Sequence, residues 1–190
     1  MARPSGRPMR EEVLEAARTM IQRVGVDGFS YADIAKQLKI SSPSIHHHFP
    51  SKADLVAEVA VQYRQEFADR VRTIGDETAS DRLMAYAGLF DQPASSGLLC
   101  LCGAIAAEWS NIAERPRREV EQFFEEQLTW LTREIEAGAA AGEFRADVDG
   151  PAMARALLAA LEGSMLMARA SNSPHLAQST CTTLLAGIVS

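Results

Sequence analysis

Cysteine is scarce in this 190-residue chain. Three residues, Cys100, Cys102 and Cys181, are too few and too odd in number to form a complete disulfide framework, so a reducing, cytoplasmic compartment is expected. No stretch approaches the roughly 20 uninterrupted apolar residues that cross a bilayer, and Met1–Glu12 has no apolar centre of the kind a secretory signal needs. A protein with no membrane partner is therefore expected. Metal-ligand spacing, a glycine-rich phosphate loop and a nucleophile elbow are all missing, which argues against an enzyme and against any cofactor. The run His46-His47-His48 does not repair this, because consecutive helical residues point about 100° apart and do not converge on one ion. Positive charge is also in short supply: the formal net charge is −6. The deficit is unevenly spread, however. Residues 1–55 carry eight Lys and Arg against six Asp and Glu, a net of +2, which leaves −8 for the remainder. Because electrostatic attraction is screened beyond roughly 10 Å, the local surplus is what an anionic partner meets.

Alternating strand patterns are absent too, and helical periodicity fills the space. Val13, Ala16, Ala17, Met20, Ile21 and Val24 recur at helical spacing, opposite Glu11, Glu12, Glu15 and Arg18. Gly25 is placed to end that helix. Ser30 is a cap for a second helix through Leu38, with Asp33 where a capping-box acid sits. Ser41 opens a short third helix with Pro43 in its first turn, where no helical N–H is lost, and Pro50 closes it. Ser51 starts a long fourth helix toward Arg72. Further helices are predicted over Asp81–Phe90, Leu99–Ile112, Arg115–Ala141, Pro151–Ala170 and Pro174–Ile188, with Gln92–Gly97 as a loop. The fold class is all-α. It divides into an N-terminal three-helix domain at residues 1–55, with a helix-turn-helix, and a larger helical domain at 56–190.

Two short helices joined by a tight turn form the helix-turn-helix spacing, in which the second helix enters the major groove. The segment GFSYADIAKQLKISSPSIHHHFPSKADL, Gly28 to Leu55, resembles the DNA-binding domain of the TetR family of transcriptional regulators. The resemblance rests on the small residues opening the third helix, the ending His48-Phe49-Pro50-Ser51-Lys52, and Leu55. It implies base contacts from Ser42, Pro43 and Ser44, and contacts to the DNA backbone from Ser30, Tyr31, His46, His47 and Lys52. Arg7 joins them as part of an N-terminal arm with Arg3 and Arg10. His46 departs from the family, where tyrosine is usual. An ordinary imidazole gains charge as pH falls through roughly 6.5, so DNA affinity is expected to rise in acid. His48 is expected to pack beside Phe49.

The same resemblance implies a repressor acting as a homodimer on a double-stranded operator, with the C-terminal domain binding an unidentified small-molecule effector and forming the dimer. Effector-pocket candidates are Leu83, Tyr86, Phe90, Cys100, Cys102, Ile105, Trp109, Phe123, Gln127, Glu162 and Met165. Candidate dimer contacts are Leu157, Leu161, Met165, Leu184, Leu185 and Ile188. The stretch Leu99 to Glu108 further resembles a cysteine-containing segment of electrophile- or small-acid-responsive members, with Cys100 in the matching position.

Overall fold

A computed structural model describes residues 8–75, 78–171, 173 and 175–189. The arm residues Arg3 and Arg7 lie outside the described residues. Two compact units are present, one made of residues 1–65 with 101–120, the other of 66–100 with 121–190.

The first unit holds α1 (Met9–Val24), α2 (Tyr31–Leu38), α3 (Ser42–His48) and the start of α4 (Lys52–Arg72). It also takes in α6 (Leu101–Ala106), a 3-10 turn (Trp109–Asn111) and the start of α7 (Glu114–Ala140). Its α1 packs on α2, α3 and α6. Each short helix begins where the local chemistry dictates. Ser30 and Asp33 form a reciprocal capping box, and Ser41 accepts from the Ser44 amide. At the head of α4, Ser51 and Asp54 exchange the same pair of bonds. Lys39 ends α2 in the left-handed region at φ 55°, which makes the sharp turn into α3, and the Ile40 amide closes back onto the Ala35 carbonyl at 3.0 Å. Below α3, Ile45 and Phe49 are buried with Val13, Ala17, Ile21, Ile34 and Leu55.

The first unit takes in more than residues 1–55 for a physical reason. Residues 101–120 are bound into the first unit by polar contacts that no local pattern announces. Glu108 accepts from the Asp27 amide at 2.8 Å, Asn111 donates to Asp27 at 2.9 Å, and Arg115 reaches Asp54 at 2.9 Å. Gly25, at φ +79°, is required here. A Cβ at that position would fall 1.9 Å from the Glu108 carboxylate.

The second unit contains α5 (Ala79–Ala94), α8 (Gly150–Ser171) and α9 (Leu176–Ala186) with the remaining turns of α4 and α7. In it α5, α8 and α9 pack on one another. Two predicted bounds are corrected. The loop expected from Gln92 starts only at Ser95, because Pro93 lies in the last turn of α5, where its missing N–H removes a single bond. The helix expected over Leu99–Ile112 stops at Ala106, where the chain turns so that Glu108 can reach the Asp27 amide. Three helix starts receive carboxylates: Asp149 caps α8 locally, Glu143 accepts from the Ala79 and Ser80 amides of α5, and Asp91 accepts from the Ala177 and Gln178 amides of α9.

Candidate functional site

The seven-residue α3 turns Ile45 inward and leaves Pro43, His46, His47 and His48 exposed, with Ser42 and Ser44 half-buried. Pro43 and His47, four residues apart, share a helix face. The Ser44 hydroxyl lies 2.7 Å from that of Ser41, so part of its bonding capacity goes to holding the helix start. His48 is exposed, with its ring 6.4 Å from Phe49, rather than packed away as expected. His46 sets its ring edge against Tyr31 at 4.6 Å and its Nδ1 at 3.4 Å from the Pro50 carbonyl. A carbonyl only accepts, so Nδ1 carries the proton. The neutral ring then offers Nε2 as an acceptor, which a phosphate repels, and only the doubly protonated ring donates outward.

Three of the expected backbone contacts are occupied inside the protein. Tyr31 is buried and its hydroxyl donates to the Phe49 carbonyl at 3.0 Å. Burial, and then the charge of Asp54, push its phenol up to about 12. The Lys52 ammonium donates to the Phe29 carbonyl and lies 4.4 Å over the Phe29 ring, fastening the residue before the Ser30 cap to the start of α4. Ser30 gives its hydroxyl proton to Asp33 at 2.6 Å. Lys36 and Lys39, which the sequence reading passed over, are exposed on α2 and on the turn before α3.

The second unit contains a cluster of rings. Phe67 meets Tyr86, Phe90 and Phe123 edge-on at centroid distances of 5.9, 5.8 and 5.3 Å, and Tyr86 stacks on Trp130 at 5.0 Å. The Tyr86 hydroxyl donates to Gln127 at 3.2 Å, and Leu83, Cys100 and Met165 are buried. Glu162 is the exception to this apolar company. Its Oε1 is out of contact with water and has no hydrogen-bond partner. Burial pushes its carboxyl up to about 7, against a hydrogen bond with Cys100 that pulls it down. Burial, with Glu162 and Cys100 nearby, drives the Tyr86 phenol well above its usual value. Between pH 4.5 and about 7 the folded protein keeps a proton that the unfolded chain releases, so stability falls as pH rises through that window. Thermal melts across pH 5–8 are expected to show wild type losing stability relative to Glu162→Gln as pH rises. Parallel curves would refute this.

Of the pocket candidates, Cys102, Ile105 and Trp109 are part of the first unit, where Cys102 and Ile105 are buried and Arg117 covers the Trp109 ring at 5.4 Å. The dimer candidates Leu157, Leu161, Met165, Leu185 and Ile188 are buried within the single chain, and Leu184 is half-buried. Helical spacing marked an apolar stripe correctly but assigned it to a partner, whereas it packs into the unit's own core. The face of α8 turned to solvent carries Ala156, Ala159, Leu166, Met167 and Ala170 instead. Among the described residues no group of three or more His, Cys, Asp or Glu could hold a metal ion, and no helix is long and apolar enough to cross a membrane.

A family model for bacterial regulatory proteins of the tetR family matches residues 13–59, and one for the tetracyclin repressor-like C-terminal domain matches 79–184. The chain belongs to the TetR family. It is a DNA-binding transcriptional regulator. The HTH-type transcriptional repressor KstR2 of Mycolicibacterium smegmatis is 31% identical over 143 residues, which span 74% of this chain and 69% of that protein. The nucleoid occlusion factor SlmA of Vibrio cholerae is 28% identical over 161 residues, 82% of this chain and 81% of that one. A solved TetR-family transcriptional regulator from Agrobacterium tumefaciens superposes with a TM-score of 0.88 at 33% identity, over 95% of this chain and 97% of the other. TetR regulators bind DNA operators and act as dimers. The first family match contains α2, α3 and their capping serines. The second contains Tyr86, Cys100, Gln127 and Glu162.

Proposed function

We propose that the protein is a repressor that holds a two-fold operator as a homodimer and is released when a small molecule binds in its second unit. The observation that supports this most is the unsatisfied Glu162 oxygen, whose charge is felt by Tyr86 of the aromatic cluster, a site without obvious use in a protein that only grips DNA. Ser42, Pro43, Ser44 and His47 are the base-reading candidates on α3. Lys36, Lys39 and His46, all exposed, serve the phosphates. The arm residue Arg7 remains a candidate for the same role. Dimerisation uses the exposed face of α8, where Leu166 and Met167 keep 58% and 64% of their surface in solvent. An effector that prefers one of two states of the dimer weakens DNA binding by that difference in affinity.

Footprinting DNA upstream of the protein's own reading frame tests this. His47→Ala is expected to relax base preference, at a cost of about 1–3 kcal/mol on the best site. Lys39→Ala weakens all sequences alike and lowers the salt slope by about one. Base preference indifferent to His47, together with a salt slope indifferent to Lys39, would place the interface elsewhere.

A further inference from the structure

We infer that the second unit recognises a lipophilic organic cation, an amine or quaternary ammonium compound, through Glu162 and the surrounding rings. This rests on the effector reading given above and specifies its chemistry.

Three observations converge. Glu162 places a carboxylate oxygen where water does not reach and no protein donor meets it. A buried carboxyl in that condition is either protonated or waiting for a positive charge. The two arginines that α5 and α7 contribute beside this cluster, Arg82 and Arg133, both bond to Glu134, at 2.6 and 2.9 Å. Second, the walls are aromatic. Tyr86, whose phenol registers the charge of Glu162, stacks on Trp130 and meets Phe67 edge-on, and a desolvated cation is attracted to ring faces within about 6 Å. Third, Trp130 is half-buried and reaches the surface while stacking on Tyr86, so rotation of one side chain exposes the interior of the cluster.

The rest of the donor set argues against other ligands. A metal ion needs several converging oxygen, nitrogen or sulfur ligands, and among the described residues Glu162 belongs to no group of three or more His, Cys, Asp or Glu that could supply them. An anion meets a carboxylate and, on Gln127, an amide oxygen already facing Tyr86. Of the groups facing Glu162, Tyr86 on α5 stays a phenol because burial raises it, and Cys100, which precedes α6, is the hydrogen-bond partner. Cation binding therefore requires ionised Glu162, and it expels a proton only from the molecules in which the carboxyl is still protonated, most of them below pH 7 and few at pH 8.

The test uses the full-length protein and three probes of one shape: benzyltrimethylammonium, its neutral carbon isostere and phenylacetate. Binding is followed by Trp fluorescence and calorimetry. At pH 8 the cation is expected to bind at least tenfold tighter than the isostere. The preference should shrink several-fold at pH 6, with proton release that scales with buffer ionisation heat. Glu162→Gln should abolish both the preference and the proton release, and Glu162→Asp, which keeps the charge, should restore part of each. Equal affinity for cation and isostere, or a preference that survives Glu162→Gln in a variant with wild-type circular dichroism, overturns the cation assignment. If the isostere or phenylacetate then still binds and releases the operator, the effector reading stands. If none of the three binds and no compound from a broad metabolite panel shifts the melting curve, the effector reading falls and the cation site falls with it.

Discussion

Phe49→Ala is expected to cost about 3–5 kcal/mol and to abolish operator binding, the largest loss from any single truncation in the first unit. Phe49 keeps 1% of its surface in solvent, and three separate interactions converge on it. Its ring lies under the Arg10 guanidinium at 5.3 Å, its amide closes α3 onto Ile45, and its carbonyl receives the Tyr31 hydroxyl. A helix of seven residues has no independent stability, so the direction of α3 is set by how Ile45 and Phe49 seat beneath it. Removing the ring leaves a void and frees α3 to tilt. Against a typical total of 5–15 kcal/mol, the loss is a large share of what holds the fold. Urea unfolding followed by far-UV circular dichroism, with operator binding measured in parallel, checks it. Phe49→Leu, which retains most of the volume, should lose less than about 1.5 kcal/mol. An alanine variant with an unchanged midpoint and intact operator affinity would show that α3 is positioned by something else.

Asp91→Ala is the second large effect, expected at about 2–4 kcal/mol. His175, the residue before α9, adopts a left-handed conformation at φ 72° and contributes no side-chain cap. The cap comes instead from Asp91, 86 residues earlier on α5, whose two oxygens accept from the Ala177 and Gln178 amides at 3.0 and 3.2 Å. The carboxylate is nearly as buried as the core around it, so its loss strands two amides in a place with little water and removes a negative charge from a helix start. Ordinary exposed caps are worth about 1 kcal/mol, and burial raises this one. Asp91→Asn keeps the shape with one accepting oxygen and should fall between wild type and alanine. Thermal melting orders the three proteins. Equal melting of Asp91→Ala and wild type would mean that water satisfies those amides.

These two cases also show where the sequence was legible. The starts of α2, α3 and α4 could be placed because their signals are local: Ser30 with Asp33, Ser41 before Pro43, and Ser51 with Asp54 each lie within one turn of the bond they make. Asp91, Glu143 and Glu108 serve groups 86, 64 and 81 residues away, and nothing in the neighbouring residues distinguishes them from solvated acids. The α8 assignment failed for a different reason. That helix is apolar on most sides, so periodicity identified Leu157, Leu161 and Met165 as one stripe without telling whether the chain's own core or another copy covers it. Leu166 and Met167, one position further round, are what remains exposed. The pocket candidates mixed two units because an aromatic residue at helical spacing looks the same in either. The unsatisfied Oε1 of Glu162, on which the proposed site rests, exists only in three dimensions.

The recognition helix divides its labour unevenly among its small residues. Ser41 and Ser44 are tied together and Ile45 is anchored below, whereas Pro43 and His47 project outward on a shared face. Anyone wishing to retarget this regulator therefore has a natural handle. On the proposed reading, diversifying position 47 is expected to change which bases are favoured at little expense to the scaffold, while altering position 44 disturbs the contact with Ser41 at the helix start.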